Sequence, residues 1–404
     1  MTQAHGGPCA AVARLVSSAE APGFDPYDGL SGTRIPEAML GNSRTRQVIV
    51  QVCKRSPWRL ETVFSVAPRH FAKADGAMLT AVSRCQHAGG MHVAVASAGI
   101  VARLDAADLA RSGSGGWGYE FDVQTRWAFY PAGSANLIAT FFIGRGFALD
   151  GLVRCDPASD ERFTDACAFL VDRLFRAGEA PFFAYTLMSD TLVHNANLLG
   201  AGLVAVAGAK LGRDEWVRAG LAAALTTVAA QEEDGSWAYG AGKGLEWSDN
   251  FHTAYNLDGL LLVWLATGDA VVRAALDRGV EHWVQDFFEP DGAPRYYPGK
   301  PYPYDIHSAG TAVDVAARLA TWGWDTAPLA ERVAAWTERN LVDQLSGLTY
   351  FQKHGFWTDK RHFVRWGDAH WALGLSSLAL TRAGTRDPLE AAAARESGVL
   401  RDAR

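Results

Sequence analysis

Three aspartate–histidine pairs carry the first visible chemistry in this chain of 404 residues. Asp190 precedes His194 by four positions, Asp249 precedes His252 by three, and Asp305 precedes His307 by two. At a helical spacing of three or four, carboxylate and imidazole share a face, so the acid can orient the ring and raise its basicity. A general base needs that arrangement. Asn195, Asn250, Tyr304, Arg365, Trp366, Asp368 and His370 stand at comparable places, with Asp122 and Arg126 earlier in the chain. Each aspartate also has a plain role, because a carboxylate at a helix start accepts backbone N–H bonds and complements the dipole. Capping does not account for the histidine that follows.

Two reactions suit such a set. Glycosidic hydrolysis needs two carboxylates about 5 Å apart for retention and about 6.5 to 9.5 Å for inversion, and Asp249 with Asp305 is the best pair. A uronate lyase or epimerase needs a neutralised carboxylate and a proton carrier. Asn195 and Arg365 suit the first task and His194, His252 or Tyr304 the second. The expected catalytic residues are therefore Asp249, His252, Asp305, His307 and His194. Trp117, Tyr119, Trp237, Tyr239 and Trp366 offer faces for pyranose rings, with Asp122, Asn195, Tyr304 and Arg365 for hydroxyls or an acidic group. The tryptophans serve equally as packing wedges between helices. His and Asp show no close metal-ligand spacing, no Gly-x-Gly-x-x-Gly follows a strand, since GSGG at 113–116 reads as a loop before Trp117, and no P-loop lysine or Gly-x-Ser-x-Gly elbow occurs. No metal and no cofactor are expected.

The elements that must position these residues repeat. Turns rich in glycine and aromatics recur as GWGYEFD, PFFAYTLMSD, DGSWAYG, DGAPRYYPG and GLTYFQKHGFW. Their landmarks Trp117, Phe183, Trp237, Tyr296 and Tyr350 are 66, 54, 59 and 54 residues apart by subtraction, room for two helices and two connections. The apolar pattern predicts twelve helices, over about 44–56, 73–87, 91–106, 133–149, 161–177, 190–209, 213–230, 249–266, 269–287, 306–322, 326–343 and 365–383. Segments such as 190–209 and 249–266 are apolar nearly all round, whereas 161–177, 269–287 and 326–343 carry an apolar stripe. All-round apolar helices must be surrounded, so alternation closes into an inner and an outer barrel, an all-α (α/α)6 toroid. Small residues around Gly200 to Gly208 let inner helices approach closely, and strand signals are weak. The expected organisation is an arm over 1–40, the toroid over 41–385 and a polar tail over 386–404.

Composition narrows the partners. Hydrophobic residues make up 49 % and charged residues 20 %, ordinary for a chain with a large core, and the net charge is −6. Without Lys/Arg clusters there is no footprint for nucleic acid or an anionic membrane. Five scattered cysteines favour reduced thiols, and neither a signal peptide nor a membrane span is visible, so a cytoplasmic protein is expected. The partner expected is a small molecule or oligosaccharide, with oligomeric state open.

On these motifs the chain resembles the α/α toroid superfamily of six-hairpin glycosidase-like proteins over about 40–385. FDPYDGL at 24–30, KRSPW at 54–58, GWGYEFD at 116–122 and SDNFHTAYNLDGL at 248–260 are similar to bacterial polysaccharide-biosynthesis toroid proteins. That resemblance implies the architecture and a glycan context. QEEDGSW at 231–237 resembles the Gln-to-Trp repeat of terpenoid cyclases and protein prenyltransferases, but the Asp-x-Asp-Asp and Asp-Asp-x-x-Asp signatures of isoprenoid chemistry are absent. A carbohydrate-active hydrolase, lyase or epimerase is the leading expectation; an isoprenoid enzyme and a non-catalytic glycan- or protein-binding toroid are the alternatives.

Overall fold

Apolar helices that leave no polar face for solvent must be enclosed, and here six of them enclose one another. The computed structural model describes residues 7–90, 96–107, 116–125 and 128–402. Ala72–His87, Leu137–Arg154, His194–Leu211, Asn250–Thr267, Ile306–Thr321 and Ala369–Arg382 form the inner ring, each packed on the next and the last on the first. Asn136, Asp249 and Asp305 cap three of these helices, accepting the N–H of Ala139, His252 and His307 at 2.9, 2.9 and 2.8 Å.

Glycines draw the inner helices together in three couples. A Cβ on Gly259 would lie 2.4 Å from the Leu198 carbonyl oxygen, and one on its counterpart Gly202 2.9 Å from that of Gly259. Gly146 abuts the Gly76 carbonyl oxygen at 2.5 Å in the same sense, and Gly374 that of Gly310 at 2.8 Å. Backbone therefore meets backbone where any side chain would force the helices apart.

The outer ring holds Ala96–Ala106, Pro157–Phe169, Asp214–Val228, Ala270–Asp286 and Ala327–Leu341, each packed on the inner helix before it. Its sixth member is Pro8–Ser18, which packs on Ala369–Arg382 and Ala72–His87 and buries Val12, Leu15 and Val16. The arm thus contributes a ring helix, and this double ring is an (α/α)6 toroid. Ser43–Arg55, expected as the first helix of the array, lies outside both rings against residues 28–31 and 123–124. Its amphipathic pattern fits a helix over the mouth as well as one in the wall. Of the helix expected at 91–106, residues 91–95 lie outside the described residues.

Two further places depart from expectation. A four-stranded antiparallel sheet joins Arg295–Tyr297, Lys300–Asp305, Gln352–Lys353 and Thr358–Asp359, pairing Asp305 with Gln352. Three of these strands have only two or three residues, and Lys300–Asp305 runs from exposed to buried without alternating, so no period-two signal rises above the turn residues. Residues 386–404, expected as a polar tail, contain the helix Pro388–Glu396, with Leu389, Ala393 and Ala394 buried against the inner helices. Its acids enter the barrel: Asp387 meets Arg84 at 2.7 Å and Glu390 meets Arg318 at 2.5 Å. Arg84 also pairs with Asp314 at 2.7 Å, Arg318 with Asp258 at 2.8 Å and Arg145 with Asp258 at 2.9 Å. Charge balance among buried groups explains why so polar a segment is interior.

Candidate active site

The second residue of each inner helix marks one level of the barrel mouth. Lys73, Phe251, His307 and His370 hold this position in four of the six, and Ile138 and Asn195 hold it in the other two. The His307 and His370 rings are 3.6 Å apart between centroids, and Phe251 packs edge-on to His307 at 4.6 Å. Lys73 Nζ lies 3.4 Å from His370 Nε2, and Thr311 Oγ1 lies 3.4 Å from His370 Nδ1. His307 Nε2 shares a 2.7 Å hydrogen bond with the Tyr255 hydroxyl, while its Nδ1 is buried without a partner among the described residues. Asn195 Oδ1 is a second buried acceptor without a partner. Such orphaned atoms are costly unless a ligand completes them.

Burial sets the protonation of this centre. Both imidazoles are held well below the usual histidine range, first by desolvation and then by positive neighbours, His370 and Lys73 for His307 and Lys73 for His370. Lys73 is pushed well below the ordinary lysine value by burial and by Arg365. Neutral imidazoles are proton acceptors at physiological pH.

The expected carboxylates are taken up by local bonds. Asp305 accepts from the His307 N–H, from Gln352 Nε2 at 2.6 Å and from Trp366 Nε1 at 3.0 Å. Burial raises its pKa, against Gln352 and Lys54, which lower it. It fixes the helix start and the Trp366 ring, which lies 4.3 Å from His307. Asp249 caps its helix and also binds His252 Nδ1 at 2.8 Å. The His252 ring, partly exposed, is edged by Tyr239 at 4.8 Å, which stacks on Trp247 at 4.3 Å.

His194 lies against the outer helix, its Nδ1 3.0 Å from Thr227 Oγ1, and burial holds its pKa down to about 4. Asp190 is exposed and pairs with Arg176 at 3.1 Å, so it does not orient His194. Trp237 donates to the Thr227 carbonyl at 3.0 Å and fills the space beside Gly279, a wedge between hairpins. Trp117 is buried 6.1 Å from Phe147. Asp122 accepts from the Ala132 N–H at 2.7 Å within its own loop. Tyr304 packs on Trp336 at 4.9 Å and lines a cleft on the outer wall with Tyr302 and Lys353. Arg126 lies outside the described residues.

A cover closes the mouth. Arg365 makes two bonds to Asp25, at 2.6 and 2.7 Å, and stacks over Tyr119 at 5.1 Å, whose hydroxyl meets that of Tyr185 at 3.2 Å. Tyr27 packs on Trp366 at 5.3 Å, and Lys54 lies over both rings. Burial disfavours the Lys54 charge, but Tyr27 and Asp305 more than offset it and raise the pKa. Arg365 is therefore already paired, and a substrate carboxylate would have to displace Asp25. Lys73, Tyr255 and Phe251 are the centre residues that motif reasoning passes over. Counting two residues past each inner-helix cap finds Lys73, Phe251 and His370 together.

No protein-family model matches the sequence, and no curated protein does. Solved structures of similar fold do exist. An unsaturated glucuronyl hydrolase specific for heparin superposes with a TM-score of 0.62 at 13 % identity, covering 92 % of this chain and 95 % of that one. A sugar epimerase from a ruminal bacterium gives 0.60 at 11 % identity over 78 % and 87 % of the two chains. Cellobiose 2-epimerase from Bacillus thermoamylovorans gives 0.57 at 10 % identity over 76 % and 87 %.

Proposed function

We propose that this chain is a carbohydrate-active enzyme that epimerises or isomerises a sugar, moving a proton on and off the carbon beside a carbonyl with His307 and His370. The facing, neutral imidazoles carry this reading. Two neighbouring bases can remove a proton and return it at another position, whereas hydrolysis needs an acid and a carboxylate flanking an ether oxygen. Asp305 is consumed by three donors, and Asp249 is committed to the cap and to His252. Sugar epimerases among the proteins of similar fold agree with this choice. An axis carrying imidazole, amine and amide groups argues against isoprenoid cyclisation, and the partnerless atoms of His307 and Asn195 argue for a bound polar ligand over a purely structural toroid. The polysaccharide-biosynthesis setting and cytoplasmic location suggested by the sequence belong to the same proposal.

Hydrolysis of an unsaturated uronide is the second reading, favoured by the similarity in fold to a glucuronyl hydrolase and by the Asp249–His252 pair. Incubation with D-mannose, D-glucose, cellobiose and an unsaturated uronide disaccharide in deuterium oxide separates them. Epimerisation leaves deuterium on the carbon next to the carbonyl and needs His307 and His370, so that His307→Ala and His370→Ala each abolish the label. Cleavage of the uronide without labelling of any sugar would replace this reading with hydrolysis.

A further inference from the structure

Lys73 is the group in the mouth that proton transfer between two imidazoles does not require. It is 4 % exposed, and among the described residues no carboxylate lies within ion-pair distance of it. Its neighbours are His370 Nε2 at 3.4 Å and the face of Phe142, with Nζ 4.5 Å from the ring centroid. Buried lysines are normally paired, because an isolated ammonium loses its hydration without compensation. Arg84, Arg145 and Arg318, lower in the same barrel, all have carboxylate partners, so this fold can supply counter-ions where it holds cations. A lysine kept without one beside an imidazole has the surroundings of an amine nucleophile.

We propose that Lys73 attacks the carbonyl carbon of an open-chain sugar and forms an imine, with His370 as its proton carrier. The proposal rests on the reading of the site as a sugar epimerase or isomerase. The amine nitrogen bonds to the carbonyl carbon, and His370 relays one amine proton to the oxygen to give a carbinolamine. The carbon–oxygen bond then breaks, and the second amine proton follows by the same route. The sugar oxygen leaves as one water carrying both protons, and a C=N bond joins sugar to Lys73. Once protonated from solvent, the imine nitrogen draws electrons from the neighbouring C–H more strongly than a carbonyl oxygen does. The proton taken up by His307, whose Nδ1 has no protein partner, is thereby easier to remove. Hydrolysis of the imine by one water restores the amine and releases product. Asn195 Oδ1, at the same level of the barrel, is an acceptor for a sugar hydroxyl.

Borohydride tests this directly. The full-length protein is treated with D-mannose or cellobiose and sodium borohydride, and the labelled residue is found by peptide mass mapping. Deuterium uptake by the sugar is measured in parallel. The expected result is a reduced adduct, one sugar less one oxygen, on Lys73, absent without sugar and absent from Lys73→Arg. Solvent-exposed lysines report the background glycation. Deuterium uptake with no adduct on Lys73 overturns the proposal and leaves the epimerase reading standing. An adduct on Lys73 with no deuterium uptake supports the lysine chemistry and overturns the epimerase reading, and absence of both signals overturns both. Because the key measurement uses the unaltered protein, a variant that fails to fold does not obscure the result.

Discussion

A histidine can occupy the start of an inner helix for two different reasons, and this chain holds both kinds. His307 keeps a nitrogen without a protein partner, whereas His194 spends its Nδ1 on Thr227 between inner and outer helices. The second kind has a signature in stability. Burial holds the folded His194 pKa down to about 4 against an ordinary 6.5, so between these values the unfolded chain binds a proton that the folded chain does not. Stability from this group is fully present above pH 6.5 and is lost as pH falls toward 4, by at most about 3 kcal/mol. His194→Gln is therefore expected to flatten the fall in melting temperature over that window relative to the parent protein. An unchanged slope would show that the ring does not titrate against folding. Both histidines follow an aspartate near an inner-helix start, and it is their surroundings that tell the two apart.

At the scale of elements, caps and glycines do most of the positioning. The cap residues Asn136, Asp249 and Asp305 and the all-round apolar runs behind them are legible in the sequence because capping and burial act within a few residues. Pro8–Ser18 and Pro388–Glu396 are not legible as parts of the barrel, since the helices that bury them are distant in the chain. Lys73 escapes for a related reason: a lysine in a first turn reads as a surface residue until five other helices surround it. A carboxylate is easier to read from sequence than its role, as Asp305 shows by binding Gln352 and Trp366 from segments that no local pattern connects to it. The coupled glycines make a sharp prediction. Gly259→Ala places a methyl against the Leu198 backbone, which cannot move without shifting its helix, and is expected to cost about 2 kcal/mol in a urea unfolding titration. Gly212→Ala, which meets no atom within 4 Å but holds a positive φ of 64°, tests backbone strain apart from packing.

For the molecule as a whole, the two ends of the barrel differ in kind. The mouth carries Lys73 with no carboxylate partner among the described residues, and the far end carries cations paired with acids, Arg84 with Asp387 and Arg318 with Glu390. Glu390→Ala leaves Arg318 with Asp258 and Asp314, so the charge stays answered, but it strips a buried acceptor from both Arg318 and Trp322 Nε1, and the expected loss is about 1 to 3 kcal/mol. Guanidinium denaturation measures it, and a loss under about 1 kcal/mol would mean the network has slack. The position of those acids also bears on how the chain is made. Asp387 and Glu390 follow all six inner helices in sequence, so during synthesis Arg84 and Arg318 wait for them with part of their charge unanswered. The barrel can therefore reach its final packing only once residues 387–390 have left the ribosome's exit tunnel, after all six inner helices.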